Sequence, residues 1–164
     1  MVLCAAHVRM EKDFDRWNEK KKYTHKREFA DHVHEREVWW SALGVNIGVE
    51  IDGKHENFER PVLVVRKFNN DSVLVVPITS RVKETPYHVP YIHKGEKFAA
   101  VVSQIRMIST KRLHRKLFSM NSQSFAQIQA ALAATIQRPP LSRGPRRPHG
   151  HNQLQYICPF LNVK

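Results

Sequence analysis

Residues 60–80 read R-P-V-L-V-V-R-K-F-N-N-D-S-V-L-V-V-P-I-T-S. Two β-branched runs, residues 62–65 and 73–76, flank the polar trio Asn69, Asn70 and Asp71. Short Val-rich runs bounded by Asn, Asp and Pro predict the two buried strands of a hairpin. In a hairpin the start of the first strand and the end of the second lie side by side. Arg60 is therefore expected beside Thr79 and Ser80 at one edge of a small sheet. The competing role for Arg60 is an edge salt bridge to Glu56 or Glu59.

The other segments must pack around this hairpin. Residues 10–36 are densely charged, with Phe14 and Trp17 spaced i, i+3. Acids come early (Glu11, Asp13, Asp15) and bases later (Lys20, Lys21, Lys22), a polarity that suits the helix dipole. A helix over about 11–30 is expected. Residues 37–43 predict a first strand. Gly44, Gly48 and Gly53 then break any regular element, so residues 44–60 form a long surface loop. Their spacing is neither a P-loop nor a dinucleotide fingerprint. Beyond the hairpin, residues 81–85 read as a polar loop and residues 87–89 as an edge strand running into Pro90. A turn at 94–97 and a strand over 98–108 follow. Ser109 is placed to cap a helical turn running through T-K-R-L-H-R-K. Asn121 or Ser122 caps a helix over about 123–136, with Phe125, Ile128, Leu132 and Ile136 on one face. From residue 137 Pro, Gly and Arg dominate and predict a flexible basic tail able to touch phosphates. The result is an α+β domain built on a small, strongly curved antiparallel sheet or barrel.

Composition narrows the functional classes. The 164-residue chain carries a formal charge of +12, with a pI of about 10.1. Such a charge attracts polyanions. No apolar run approaches the roughly 20 residues that span a bilayer, so no membrane role is expected. The N-terminus lacks the pattern of a signal peptide. Cys4 and Cys158 sit far apart without metal spacing, which favours a reducing cytoplasm. His32/His34 and His149/His151 bring no third ligand, so no metal and no cofactor are expected, and nearly all ten histidines read as solvated.

Three motifs in order, G-V-N-I-G-V-E…G-K…E-R-P-V-L-V-V, then V-L-V-V-P-I-T-S, then V-V-S-Q-I-R-M-I-S-T-K-R-L, resemble the MazF/PemK toxins of toxin–antitoxin pairs. The resemblance covers residues 36–136. It leaves residues 1–35 as a charged helical extension and residues 137–164 as a basic tail. It implies a small SH3-like β-barrel with a C-terminal helix, to which this chain adds an N-terminal helix. It also implies a cytoplasmic homodimer that cuts single-stranded RNA without a metal and is neutralised by an acidic antitoxin. The family's catalytic pair falls on Arg60 and Thr79.

Metal-free RNA cleavage uses the neighbouring 2′-hydroxyl as nucleophile. The protein must align the attack, stabilise charge on the phosphorane and handle two protons. Arg60 suits the charge, because a planar guanidinium grips two phosphate oxygens. Thr79 and Ser80 can hydrogen-bond the phosphate or the 2′-hydroxyl, and Lys54 is a candidate phosphate contact. Gln104 and Arg106, expected on one side of a strand, are candidates to read or clamp RNA. Some relatives place a carboxylate where this chain has Ser103, so the base is the gap in the set, with Glu50 the nearest acid. The alternative is a non-catalytic module on the same barrel. It would bind RNA or a protein target as gyrase-inhibiting relatives do, or be an inactive toxin.

Overall fold

The computed structural model describes residues 12–30 and 32–137. The expected tail and the His149/His151 pair lie outside the described residues. The hairpin forms as β2 (Glu59–Lys67) and β3 (Ser72–Thr79), with Val62 opposite Pro77 and Leu63 opposite Val76. Asn69 Oδ1 closes the turn, accepting from the Asp71 amide (2.9 Å), the Ser72 amide (2.8 Å) and Ser72 Oγ (2.9 Å). Both faces are buried, which explains runs of Val without polar alternation. Leu63, Val65, Val76 and Ile78 enter one core, while Val62, Val64, Val73 and Val75 enter another.

The first core is covered by α2 (Ser122–Gln137) through Phe125, Ile128 and Leu132. Asn121 supplies its cap, with Oδ1 accepting from the Ser124 amide at 2.8 Å. Ile136, expected on the same stripe, is 77% exposed, so the apolar face ends a turn before the helix does. The second core is closed by Val33, Leu43, Ile108 and Leu113. The charged helix α1 (Phe14–Lys26) starts at Asp13, whose carboxylate accepts from the Arg16 amide, and is shorter than expected. It docks through Trp17 onto Ala42 and Phe58.

Five further strands complete the sheet: β1 (Glu37–Ala42), β4 (His88–His93), β5 (Glu96–Val101), β6 (Arg106–Ser109) and β7 (Leu113–Ser119). The antiparallel order is β4-β5-β3-β2-β1-β7, with β6 paired to β3. Two expectations fail. The strand over 98–108 is broken by a 3₁₀ turn, Val102–Gln104. The break arises because Ile78 and Thr79 pair with β5, whereas residues 72–75 pair with β6, and the turn absorbs the residues in excess. The helical turn expected through T-K-R-L-H-R-K is confined to Thr110–Arg112, capped by Ser109, and L-H-R-K-L-F-S forms β7. Its ladder with β1 overrides the local pattern. The described residues thus form seven strands where about five were expected.

The end strands approach each other where the His93 ring stacks on Phe118, with centroids 3.6 Å apart and planes 13° apart. No ladder joins them among the described residues, so the sheet is barrel-like but open.

Candidate functional site

The β2–β3 ladder ends with Val62 opposite Pro77, and the same spacing continued outward brings Arg60 level with Thr79. Period-two alternation puts Arg60 on the face of Val62, and Thr79 on the face of Pro77. The two residues named from the hairpin share one cleft at its open end. Arg60 is buried, and its Nε donates to the Asp52 carbonyl at 2.7 Å. Its two terminal nitrogens have no hydrogen-bond partner among the described residues. Burial pulls the guanidinium below its ordinary pKa and the Asp52 carboxylate pulls it back up. The group remains a cation. The edge salt bridge does not form: Glu59 pairs with His114 and Arg115, and Glu56 with Arg16. Thr79 Oγ1 accepts from the Arg81 amide at 3.1 Å.

Arg60 and Thr79 line a cleft of about 420 Å³ with Lys54, Ser103 and Gln104. Three other candidates lie elsewhere. Ser80 is exposed beside Thr79 and does not line the cleft. Glu50 lines a separate hollow against α1, with Phe14, Trp17 and Lys21. Arg106 opens β6, whereas Gln104 ends the 3₁₀ turn, so the two do not share a strand as expected. They still touch, since Arg106 Nη2 donates to Gln104 Oε1 at 3.3 Å.

Gln104 holds the long loop. Its Oε1 accepts from the Ile51 amide (3.1 Å), and its Nε2 reaches the Val49 carbonyl (3.5 Å). On the other side Asp52 accepts from Lys12 Nζ (2.8 Å) and from the Asn46 amide (2.6 Å). The loop base is knotted by Gly53 N to Gly44 O (2.7 Å) and Gly44 N to Phe58 O (3.1 Å). Gly44 has φ +84°, and a Cβ there would overlap the Trp17 indole. These bonds fix the Asp52 carbonyl that orients Arg60.

Arg81, Lys83 and His88 also line the cleft, and sequence reasoning did not single them out. The signal for the two bases was their place just past Thr79. For His88 it was its position opening an edge strand, where alternation aims every second side chain at the same face. His88 Nδ1 is 2.8 Å from Thr85 Oγ1. Among the described residues no carboxylate lines the cleft. No three His, Cys, Asp or Glu side chains suited to a metal come together among the described residues. No described helix is long and apolar enough to cross a membrane.

A sequence profile of the PemK-like, MazF-like toxins of type II toxin–antitoxin systems matches residues 34–136. No curated protein sequence matches the chain. Among solved structures, MazF (Form-I) from Deinococcus radiodurans is 20% identical with a TM-score of 0.55, over 68% of this chain and 100% of that one. An endoribonuclease in complex with its cognate antitoxin, from Mycobacterial species, is 17% identical with a TM-score of 0.52, over 65% of this chain and 97% of that one. A MazE-MazF complex (Form-II) from Deinococcus radiodurans is 20% identical with a TM-score of 0.51, over 66% and 100%. At these identities the likeness is one of fold, a MazF-like antiparallel barrel with α2 over one core. The profile spans more than half of the sequence and covers the hairpin, the long loop and the cleft together, and the chain belongs to the PemK/MazF-like toxin family of type II toxin–antitoxin systems.

Proposed function

We propose that this toxin is a metal-independent endoribonuclease that cuts single-stranded RNA at the Arg60–Thr79 cleft. The observation that carries the reading is Arg60 itself. Its Nε is tied to the Asp52 carbonyl while its terminal nitrogens stay unengaged among the described residues, in a cleft lined by cations and hydroxyls. A guanidinium held this way is pre-oriented to grip two phosphate oxygens. In the reaction the 2′-hydroxyl attacks the adjacent phosphorus and the bond to the 5′-oxygen breaks. A 2′,3′-cyclic phosphate and a 5′-hydroxyl are left. Arg60 stabilises the charge that gathers on the phosphorane oxygens, and Thr79 hydrogen-bonds the phosphate or the nucleophile. Lys54, Arg81 and Lys83 neutralise flanking phosphates. Family membership supports the remaining parts of the reading: a cytoplasmic homodimer, neutralised by an acidic antitoxin segment that covers the cationic cleft. Residues 1–35 and 137–164 are additions to the toxin barrel at 36–136.

The test is incubation of the purified chain with a long single-stranded RNA in EDTA. Specific cuts are expected, with 5′-hydroxyl ends. Arg60→Ala is expected to slow them by about 10²–10³-fold, the cost of removing one transition-state donor. Cutting that requires a divalent metal would overturn the reading. Binding without cutting would leave a non-catalytic RNA-binding module in its place.

A further inference from the structure

We propose that His88 is the general base that takes the proton of the attacking 2′-hydroxyl. The inference rests on the RNA-cleavage reading and supplies what that reading lacks. Among the described residues the cleft is lined by cations, hydroxyls, an amide and one imidazole, but by no carboxylate. Each nearby acid is engaged or elsewhere. The Asp52 carboxylate is held by Lys12 Nζ and the Asn46 amide. Glu50 lines the hollow against α1. Glu59 adjoins Arg60 on β2, so its side chain leaves the opposite face, where it pairs with His114. Glu84 is exposed and does not line the cleft. Histidine is the side chain that exchanges protons near neutral pH.

The sheet sets His88 toward Arg60 and Thr79. Thr79 pairs with Ala99, and His88 pairs with Val101, so β3, β5 and β4 lie side by side. Residues directly opposite share a face, and so do residues two apart, so Thr79, Ala99, Val101 and His88 all point the same way. The backbone of β4 is two strand spacings, about 10 Å, from that of β3. Val101, the residue opposite His88, lines the cleft together with His88, Thr79 and Arg60. On this geometry a ribose and its phosphate lie between a histidine on one wall and an arginine–threonine pair on the other.

The Thr85 hydroxyl holds the ring through Nδ1 at 2.8 Å. In the tautomer that does the work, Nδ1–H donates to Thr85 Oγ1 and the lone pair lies on Nε2, turned to substrate. Nε2 takes the 2′-hydroxyl proton as the 2′-oxygen bonds to phosphorus. The P–O5′ bond breaks, and the departing 5′-oxygen takes a proton from water. The imidazolium returns its proton to the resulting hydroxide, so atoms and charge balance without a co-reactant. Thr85 is a positioning residue in this scheme.

The test compares cleavage by wild type, Arg60→Ala, His88→Ala and His88→Gln in EDTA, with RNA affinity measured alongside. Loss of about 10²-fold or more in kcat is expected for both His88 variants, with KM within about twofold, the range for removal of a general base. Added imidazole is expected to restore His88→Ala, a response that a merely structural role would not give. If Arg60→Ala is dead while both His88 variants cut as wild type, the proposal falls and the RNA-cleavage reading stands. It also falls if Glu50→Gln abolishes cutting and His88→Ala does not, or if the His88→Ala defect lies in KM and imidazole leaves it unchanged. A wild type that binds RNA but never cuts it sinks both.

Discussion

At the scale of single residues, two titratable groups outside the cleft, Glu37 and His114, couple stability to pH. Burial pushes the Glu37 carboxyl up, but hydrogen bonds from Lys116, the His34 amide and the Trp39 indole outweigh it, so its pKa lies below the ordinary 4.5. Burial pulls the His114 imidazole below its ordinary 6.5, and the Glu59 carboxylate only partly restores it. Both groups bind fewer protons in the folded chain than in the unfolded one, so stability rises with pH across each window. The His114 share is present above pH 6.5 and is lost as pH falls through its folded value. The Glu37 share is present above pH 4.5 and is lost below it. Urea midpoints measured from pH 8 to 3 are expected to fall in two stages. Glu37→Gln is expected to remove the lower stage and to cost about 1–3 kcal/mol at pH 7 by breaking a charged, buried hydrogen-bond set. A single-stage curve in the wild type would contradict the assignment. Glu37 was readable in the sequence only as the start of a strand. Its partners come from residues 34, 39 and 116, and only the fold brings Lys116 to it.

Among the elements, the long loop and α1 act as one unit. Glycine at position 44 serves two needs, a left-handed backbone at φ +84° and a surface flat enough for the Trp17 indole. Lys12, at the entry to α1, clamps Asp52 from outside while Gln104 clamps Ile51 from the cleft side. Gly44→Ala is expected to destabilise the chain by about 1–3 kcal/mol, combining backbone strain with overpacking. The shift should appear in the denaturant midpoint. RNA cutting should drop as well, because the same loop carries the carbonyl that orients Arg60. An alanine variant of wild-type stability would show that α1 does not pack on Gly44. The sequence marked this segment as a surface loop through its three glycines. Its tethers were not legible, because they join residues up to 55 positions apart.

For the whole molecule, the formal charge of +12 and the cationic cleft predict an affinity for RNA dominated by phosphates. Binding to single-stranded RNA should weaken with salt, with a log–log slope of about −0.7 for each phosphate neutralised. Arg60→Ala should make that slope shallower by about 0.7, and Glu50→Gln should leave it unchanged, since Glu50 faces a different hollow. Equal slopes for wild type and Arg60→Ala, measured by fluorescence anisotropy, would mean that Arg60 does not hold a phosphate.

The hairpin, its turn and the placing of Arg60 and Thr79 at one end of it followed from local sequence. Short Val runs around an Asn-Asn-Asp turn admit few other structures, and antiparallel register is set over a few residues. The capped C-terminal helix was legible for the same reason. What lay beyond local pattern depended on partners distant in the chain. β7 exists because β1 offers it a ladder, although L-H-R-K by itself reads as the continuation of a helical turn. The 3₁₀ break after β5 exists because β3 is shared by two strands. The cleft's composition, with His88 inside and Glu50 outside, was decided by how β4 and the long loop fold over that shared strand. Local sequence fixes which residues are neighbours along a strand or turn, and packing between remote elements alone fixes which of them face the same space.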